Sequence, residues 1–573
     1  MKMTPEKRDS TFIADGPDEL VSALVRPGEH VHLAATMSRP NALQRSLARV
    51  FRGQRNLVVS TPAVHSSAHA LALSGCCRKL ITGFLGDTYP TPRPNSLYRN
   101  VHQGIPFEVE LWSLLTYTQR LMAGALGQPF ATTGSDLLGT SLGADKEEHL
   151  TTVEVGPEGH TVTLMTPLRP DIALYHGVCA DPEGNIAICA PYGEGPWAAY
   201  AAKRGVIASV EYLVPRGELP DIADHILIPA SRVIGLCEAR YGAHPNSLRA
   251  KGLAGVETYL DDYDHLRHIV EACSTEAGAR RWFDEWVLDG THQEYVRKLQ
   301  QTGAVTRIAL PVRTTEPPPN DDTVEISSIP AEPTKQERLV ILGARAIKRL
   351  VLERGYDTVL AGIGTSHIAA WVACQQLRAD GHPVVFAAEL GLVADEPSTG
   401  DVFLFSQRHV AKAQMLTGIP EILGGLVAAN DRCLGVLSAA EVDPEGNLNT
   451  VLLPDGRWVT GSGGANDIAS SSDCVVIAPA SRRRYVRELA HTTSPGKRVQ
   501  TLVSHVGTFH RREDGRFALA SWLPEDQAET PADAMARLTS WDPEDLPTPW
   551  DEEPISETEL ACVRAIDPKG DYR

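Results

Sequence analysis

The sequence predicts an α/β protein made of two related domains, each with a mostly parallel sheet flanked by helices. The pentapeptide Asp-Pro-Glu-Gly-Asn occurs twice, at residues 181–185 and 443–447, almost half of the 573-residue chain apart. Each copy follows an apolar run and precedes a short segment beginning with Ile or Leu, the pattern of strand, tight turn and strand. Turn residues alone can produce such a match by chance, but the matching flanks favour two related halves.

Strands alternate with helices in the first half of the chain. Apolar runs predict strands at 30–35, 57–60 and 79–84, and helical spacing predicts helices at 41–52 and 112–126. A Trp- and Arg-rich helix is predicted near 280–300, where this half ends. Alternation of this kind is typical of parallel α/β layers.

A proline-rich connector separates the halves. Three consecutive prolines at 317–319 precede charged turn residues, a composition typical of an extended, exposed linker. Thr334 and Glu337 then have the spacing of a capping box, followed by a predicted strand at 357–361 and a helix at 366–377. The predicted division is a first domain at 1–302, a linker at 303–333 and a second domain at 334–573.

The composition excludes several classes of protein. A net charge of −18 argues against nonspecific binding of nucleic acid, which requires a basic face. No apolar stretch approaches the roughly 20 residues of a membrane helix, and the start lacks the apolar core of a signal peptide. The 10 cysteines form no Cys-x-x-Cys pair and are expected to be reduced. We therefore expect a cytoplasmic protein that binds neither nucleic acid nor membrane.

Two segments of the second half have residues suited to chemistry. Gly362-Ile-Gly364 forms a strand-to-helix turn, where backbone N–H groups face an anion in many α/β proteins, although such glycines also serve packing alone. Glu389 follows an apolar strand and precedes Leu390 and Gly391, at the edge where open α/β sheets bind ligands. Taken alone, an exposed surface carboxylate is the more common explanation of such a Glu.

A third segment, Gly461-Ser-Gly-Gly-Ala-Asn-Asp467, is dense in glycine, so its backbone can come very close to a ligand. The competing interpretation is a wide turn after a hairpin. Thr492–Gly496 forms a further turn of unassigned role. The 19 histidines show no metal-ligand spacing, and the chain has neither a Gly-x-Ser-x-Gly elbow nor a Walker-type Gly-Lys-Ser/Thr. No metal is therefore expected.

Together these segments resemble the family I CoA-transferases, especially the glutaconate CoA-transferase branch. The first half resembles the α subunit, and the second half resembles the β subunit. The second-half resemblance rests mainly on Glu389-Leu-Gly391 and on Gly-Gly-Ala-Asn-Asp at 463–467. The other second-half segments are Gly362–Gly364, Thr493–Gly496 and Ile566–Gly570. The first-half segments are Ile81–Pro90, Glu110–Ser113, Ala123–Phe130, Pro170–Leu174, Ala180–Asn185 and Gly290–Tyr295.

The resemblance implies two CoA-transferase-type domains fused in one chain, with Glu389 as a nucleophile that passes through a glutamyl-CoA thioester. It also implies acyl-CoA and a carboxylic acid as substrates, with no tightly bound cofactor. The other expected site residues are Gly362, Gly364, Gly391, Gly463 and Gly464 for CoA and oxyanion binding, Asn466 and Asp467 for loop support, and Phe84 and Gly86 for substrate binding.

Two departures from the family pattern leave alternatives open. Leu390 stands where a small polar residue is usual, and the segment 34–39 lacks the family's glycine-rich pattern. A CoA-thioester hydrolase or a ring-opening C–C hydrolase on the same scaffold is the main alternative. Glu389 argues against the decarboxylase branch, which has Cys at that position, and a non-enzymatic ligand sensor ranks lowest. The sequence leaves monomer and homo-oligomer open.

Overall fold

The computed structural model describes residues 11–144, 146–215, 219–310, 332–396, 398, 400–541 and 548–573. Two large sheets, one in each half, are the centres of the fold.

The first sheet has eight parallel strands along its main path, and the two short strands Ile186–Ala187 and Ile226–Ile228 extend it by antiparallel pairing. The central strand Ile172–Ala180 is buried at every residue. Near-continuous burial is expected for a parallel sheet covered on both faces. In spatial order the eight strands are Phe12–Ala14, Val233–Glu238, Gly205–Leu213, Ile172–Ala180, His30–Leu33, Leu57–Val64, Cys77–Leu85 and Glu108–Leu111.

The second sheet has nine strands, with a parallel centre and antiparallel edges. Its order explains the position of Glu389, because the strand before that residue pairs in parallel with Thr358–Ala361 and then turns back into an antiparallel neighbour. In spatial order the strands are Ala413–Leu416, Leu392–Ala394, Val385–Ala388, Thr358–Ala361, Cys433–Ser438, Asp473–Ile477, Val499–Ser504, Gly507–Arg511 and Phe517–Leu519.

Smaller sheets and helices cover these two sheets. The α-helices are Pro17–Leu24, Asn41–Val50, Ala70–Ser74, Leu114–Ala125, Trp197–Ala201, Tyr263–Ala272, Glu276–Phe283, His292–Gln301, Ala304–Ile308, Lys335–Arg354, Thr365–Ala379, Gln407–Val410, Ala465–Ser471, Pro531–Leu538 and Glu557–Ile566. The remaining strands are Ala131–Thr133, Leu150–Val155, His160–Met165, Thr258–Tyr259, Ala309–Leu310, Glu441–Val442, Leu448–Asn449, Ser521–Trp522 and Trp550–Asp551.

The two halves share a buried apolar cluster. Met37, Leu114 and Leu115 of the first half lie in it together with second-half residues such as Leu423 and Ile468. Burying apolar surface between the halves is the main favourable contribution to holding them together.

The predicted fold class, mostly parallel sheets flanked by helices, is confirmed. The predicted capping box is also present, since Thr334 Oγ1 accepts from the Glu337 N–H and Glu337 Oε2 accepts from the Thr334 N–H. The predicted single helix near 280–300 is wrong. The segment contains two α-helices, because the helical conformation ends before Gly290 and a new helix begins at a second capping box formed by Thr291 and Glu294.

The repeated pentapeptide forms the same turn in both halves. Asp181 and Asp443 each accept from the backbone N–H of the Asn four residues later, at 2.8 Å in both copies. The Asn side chains then accept from a distant backbone N–H, Asn185 from Ala230 at 3.0 Å and Asn447 from Gly496 at 2.8 Å. The turn at 492–496, which had no assigned role, thus supplies the N–H of Gly496 that donates to Asn447 in the second copy.

Most of the predicted linker, residues 311–331, lies outside the described residues. The preceding residues 304–310 form a short helix and a strand, and that strand pairs with Thr258–Tyr259 of the first half. Among the described residues, no helix has the length and apolar character that crossing a membrane requires.

Candidate active site

Glu389 lies in the tight turn between the strands Val385–Ala388 and Leu392–Ala394. Gly391 makes this turn possible. Its φ is +118°, and a Cβ there would lie 2.0 Å from the Thr417 carbonyl oxygen. Only glycine combines this backbone conformation with that close approach, so Gly391 fixes the direction of the turn that carries Glu389.

The Glu389 carboxylate is buried, with 7% of the residue exposed. Its Oε2 accepts from the Gly464 backbone N–H at 3.1 Å, and a Cβ on Gly464 would lie only 2.4 Å from that oxygen. Glycine at 464 therefore lets the loop backbone reach the carboxylate. Burial raises the pKa of Glu389 to about 7; the Gly464 hydrogen bond opposes the rise, and the negative charge of Asp467 adds to it.

Asp467 attaches the glycine-rich loop to the first half. Its Oδ1 accepts from the hydroxyls of Ser113 at 2.6 Å and Ser135 at 2.7 Å, and its Oδ2 accepts from the Leu115 N–H at 3.0 Å. Burial raises the pKa of Asp467 to about 6, and these three donors oppose the rise. All three donors come from the other half of the chain.

Asn466 makes a second attachment in the same loop. Its Nδ2 donates to the Asp136 carbonyl at 2.9 Å and to the Thr493 carbonyl at 3.0 Å. The loop is thereby held between a first-half segment and the turn at 492–496.

The two halves exchange backbone hydrogen bonds in a reciprocal way, which we call the double clasp. In the second-half loop, Gly463 donates to the Gly83 carbonyl at 3.0 Å and accepts from the Leu114 N–H at 2.9 Å. In a first-half loop, Gly193 donates to the Leu390 carbonyl at 3.3 Å and accepts from the Ile419 N–H at 2.7 Å. Each half thus contributes one loop whose glycine bonds to the other half.

A cavity of about 1070 Å³ opens at Glu389. This volume is at the upper end of the range for small-molecule sites. Both halves line it, the first half through Phe84 and 91–94, and the second half through most of the wall. Five arginines contribute to the lining: Arg93, Arg457, Arg483, Arg484 and Arg573.

The structure brings most of the predicted site residues to this cavity. Gly362, Gly364, Gly463, Gly464 and Phe84 line it with Glu389. Two predicted residues lie behind the wall. Gly391 packs on Thr417, as described, and Gly86 packs on Thr460 and on the Arg93 carbonyl, 3.0 Å and 3.2 Å from where its Cβ would be.

The N–H groups of the predicted oxyanion-binding glycines are already engaged within the protein. Gly464 donates to Glu389 itself. The acceptors of the others are the Val436 carbonyl for Gly362, His367 Nδ1 for Gly364, the Ala388 carbonyl for Gly391 and the Gly83 carbonyl for Gly463. These glycines bring the backbone close to the site, and their N–H groups have protein acceptors.

The two departures from the family pattern lie close together in space. Met37, in the segment 34–39, and Leu390 are both buried, belong to the shared apolar cluster and line the same small cavity. Leu390 therefore points into packing between the halves, and its neighbour Glu389 faces the large cavity.

Sequence reasoning missed the first-half partners of the site and its arginines. Ser113, Ser135 and Leu115 lie more than 300 positions before Asp467, so no local pattern connects them. The run Arg482-Arg483-Arg484 is visible in the sequence, but nothing local shows that two of its members line the cavity. Among the described residues, no cluster of His, Cys, Asp and Glu could hold a metal ion.

Comparison with known proteins finds similarity to CoA-transferases. The family model described as Coenzyme A transferase matches residues 15–237. One subunit of the 3-oxoadipate CoA-transferase from Pseudomonas knackmussii is 27% identical over 289 residues, 49% of this chain and 92% of that protein. One subunit of the glutaconate CoA-transferase from Acidaminococcus fermentans is 32% identical over 150 residues, 24% of this chain and 54% of that protein.

An uncharacterized protein of Archaeoglobus fulgidus is 26% identical over 286 residues, 50% of this chain and 59% of that protein, so the chain spans little more than half of two of these three relatives. The crystal structure of the acyl-CoA transferase YdiF apoenzyme from Escherichia coli O157:H7 shares the fold, with a TM-score of 0.65 at 16% identity and coverage of 96% of both chains.

The fold and the similar proteins together indicate the class of protein. Residues 15–237 match the Coenzyme A transferase family model, and the similarity to subunits A and B of CoA-transferases supports a fused family I CoA-transferase. Its two halves correspond to the two different subunits of those enzymes, fused in one polypeptide.

Proposed function

We propose that this chain transfers CoA from an acyl-CoA to a carboxylic acid through a glutamyl-CoA thioester on Glu389. The observation that carries the proposal is the placement of Glu389, a buried carboxylate with one backbone N–H donor at a cavity lined by both halves. A carboxylate with little solvation is a stronger nucleophile than one in water. Because it must be ionised to attack, turnover should fall as the pH drops through about 7.

The proposed chemistry needs no metal, redox step or resident cofactor. A Glu389 oxygen adds to the thioester carbonyl carbon. The C–S bond then breaks, CoA leaves as the thiolate, and a mixed acyl-glutamyl anhydride remains on Glu389. The thiolate then attacks the Glu389 carbonyl carbon, which releases the first acid as a carboxylate and leaves glutamyl-CoA. The second acid reverses these steps and restores Glu389.

The cavity has room and charge for CoA. Arg457, Arg483 and Arg484 lie on the second-half part of its wall, and guanidinium groups are well suited to phosphate oxygens. We assign the CoA phosphates to this wall. The acid is assigned to the side formed by Phe84 and the segment 91–94, with Gly86 supporting that segment through its close packing.

The remaining predicted residues take supporting roles in this proposal. Gly362, Gly364, Gly463 and Gly464 keep the wall free of side chains, so that the thioester can approach Glu389. Asn466 and Asp467 hold the loop against the first half.

A label-exchange experiment separates the transferase from the hydrolase on the same scaffold. The enzyme is incubated with a panel of acyl-CoAs and the matching isotopically labelled free acid, and then with acetate or succinate as acceptor. A transferase moves the label into the acyl-CoA without net loss of thioester. Release of free CoA at a rate independent of added acid would identify a hydrolase, and neither reaction with any thioester would contradict both functions.

A further inference from the structure

The glycine-rich loop contributes one serine to the residues that line the cavity. Ser462 lies between Gly461 and Gly463, lines the cavity with Glu389 and is only 3% exposed. Gly463 has a φ of +53°, and its Cβ position would be 3.8 Å from Glu389 Oε1. The residue after Ser462 is therefore next to the nucleophile, and the next one, Gly464, bonds to it.

The Ser462 hydroxyl has no hydrogen-bond partner within the parts of the chain that the structure describes. Buried polar groups are nearly always paired, so an unpaired hydroxyl at a cavity points to a group that arrives with a ligand. Glu389 is not a partner of this hydroxyl, and Glu389 Oε2 is bonded to the Gly464 N–H. The nearby glycine N–H groups are also engaged. Among the described residues, three buried hydroxyls without a partner belong to residues of the cavity lining, those of Ser438, Ser462 and Tyr572, and Ser462 is the one in the loop that bonds to Glu389.

Resting on the proposed function, we propose that Ser462 is a further catalytic residue, whose Oγ–H donates to the oxyanion formed when Glu389 adds to the thioester carbonyl. As the Glu389 oxygen bonds to the carbonyl carbon, the C=O π electrons move onto the carbonyl oxygen. Ser462 stabilises that charge through a hydrogen bond and keeps its proton. The electron pair returns to carbon when the C–S bond breaks.

A hydroxyl suits this position for an electrostatic reason. A cationic donor beside Glu389 would pair with the carboxylate and weaken it as a nucleophile. A neutral O–H stabilises the developing charge without this effect, and a buried donor acts more strongly than an exposed one.

Ser462→Ala tests the inference with the full-length enzyme. We expect kcat to fall by roughly 100-fold, the usual loss for one oxyanion donor, with little change in KM for acyl-CoA. Ser462→Cys retains a weak donor, so its kcat should lie between those of Ser462→Ala and the wild type. The matched control is Ser494→Ala, because Ser494 also buries an unpaired hydroxyl but does not line the cavity, and its kcat should be that of the wild type.

Unfolding temperatures of the variants show whether each is folded at the assay temperature, and if Ser462→Ala is not, Ser462→Cys carries the test. Unchanged kcat in the folded variant would overturn the role of Ser462, while turnover by the wild type would leave the proposed function intact. Absence of any wild-type turnover with acyl-CoAs would instead contradict the proposed function.

Discussion

In the double clasp, each half contributes one glycine that bonds to the other half, but the residue that follows this glycine differs between the halves. In the second half, Gly463 is followed by Gly464, whose N–H donates directly to Glu389 Oε2 at 3.1 Å. In the first half, Gly193 is followed by Glu194, a fully buried residue. Glu194 Oε1 accepts from the Ala35 N–H at 2.7 Å and is 3.0 Å from His32 Nε2.

This difference places one of the two carboxylates at the large cavity and the other away from it. Glu194 lies in the first-half interior, where its carboxylate bonds to neighbours and lines no large cavity in the described structure. Glu389 has one backbone donor and faces about 1070 Å³ of cavity. One carboxylate thus lies among partners inside the first half, and the other lies at the cavity.

The largest expected effect separates these two carboxylates. Glu389→Gln removes the nucleophile and should lower the transferase rate by roughly 10⁴-fold or more, because nucleophile losses have effects of this size. Glu194→Gln keeps an oxygen that accepts from Ala35, so its rate should equal that of the wild type. Steady-state assays of both variants make the comparison. Equal losses in the two variants would show that the halves do not divide these roles.

The next effect concerns the pH dependence of stability. The pKa of Glu389 is raised from 4.5 to about 7 in the folded protein, so its favourable contribution is complete below pH 4.5 and is lost as the pH rises through 7. Glu389→Gln cannot ionise. It should exceed the wild type in free energy of unfolding at pH 8 by about 3 kcal/mol, from 1.36 kcal/mol per pKa unit, and should match it near pH 5.

Urea denaturation at the two pH values measures that difference. Glu194→Gln serves as a control for loss of a buried carboxylate. A gain in Glu389→Gln that is the same at pH 5 and pH 8 would mean that ionisation of Glu389 is not its cause.

A smaller effect is expected at the attachment between the halves. Asp467→Asn should destabilise the fold by about 2 kcal/mol, because donors from Ser113, Ser135 and Leu115 lose part of their acceptor. Loss of the negative charge should also lower the pKa of Glu389, so the acid limb of the pH–rate profile should move to lower pH. Asn466→Ala removes a neighbouring attachment without a change of charge. It should destabilise the protein and leave the acid limb in place; a shift of equal size in both variants would contradict the electrostatic role.

The smallest effect tests the symmetry of the repeated turns. Asn185→Ala and Asn447→Ala each remove the side-chain hydrogen bond to the turn Asp and the acceptor for a distant N–H. Each should cost about 1–2 kcal/mol in the free energy of unfolding. Because the bonds are the same, the two losses should be similar when measured by urea denaturation. A loss confined to one half would show that the turns differ in importance.

Features set by neighbouring residues could be predicted from the sequence. The Thr334–Glu337 capping box, the central parallel strands and the position of Glu389 at a strand end all depend on short segments. The broken helix near Gly290 was missed because its flanks both have helical spacing. The attachment of Asp467 and the double clasp join distant residues, and no short segment contains information about such contacts.

The most direct test of the account is mass spectrometry of the intact protein after incubation with acyl-CoA, with the adduct stabilised by borohydride or hydroxylamine and located by peptide mapping. The account predicts one modified residue per chain, Glu389, in the wild type and in Glu194→Gln, and none in Glu389→Gln. Transferase turnover without any adduct at Glu389, or full activity in Glu389→Gln, would contradict it.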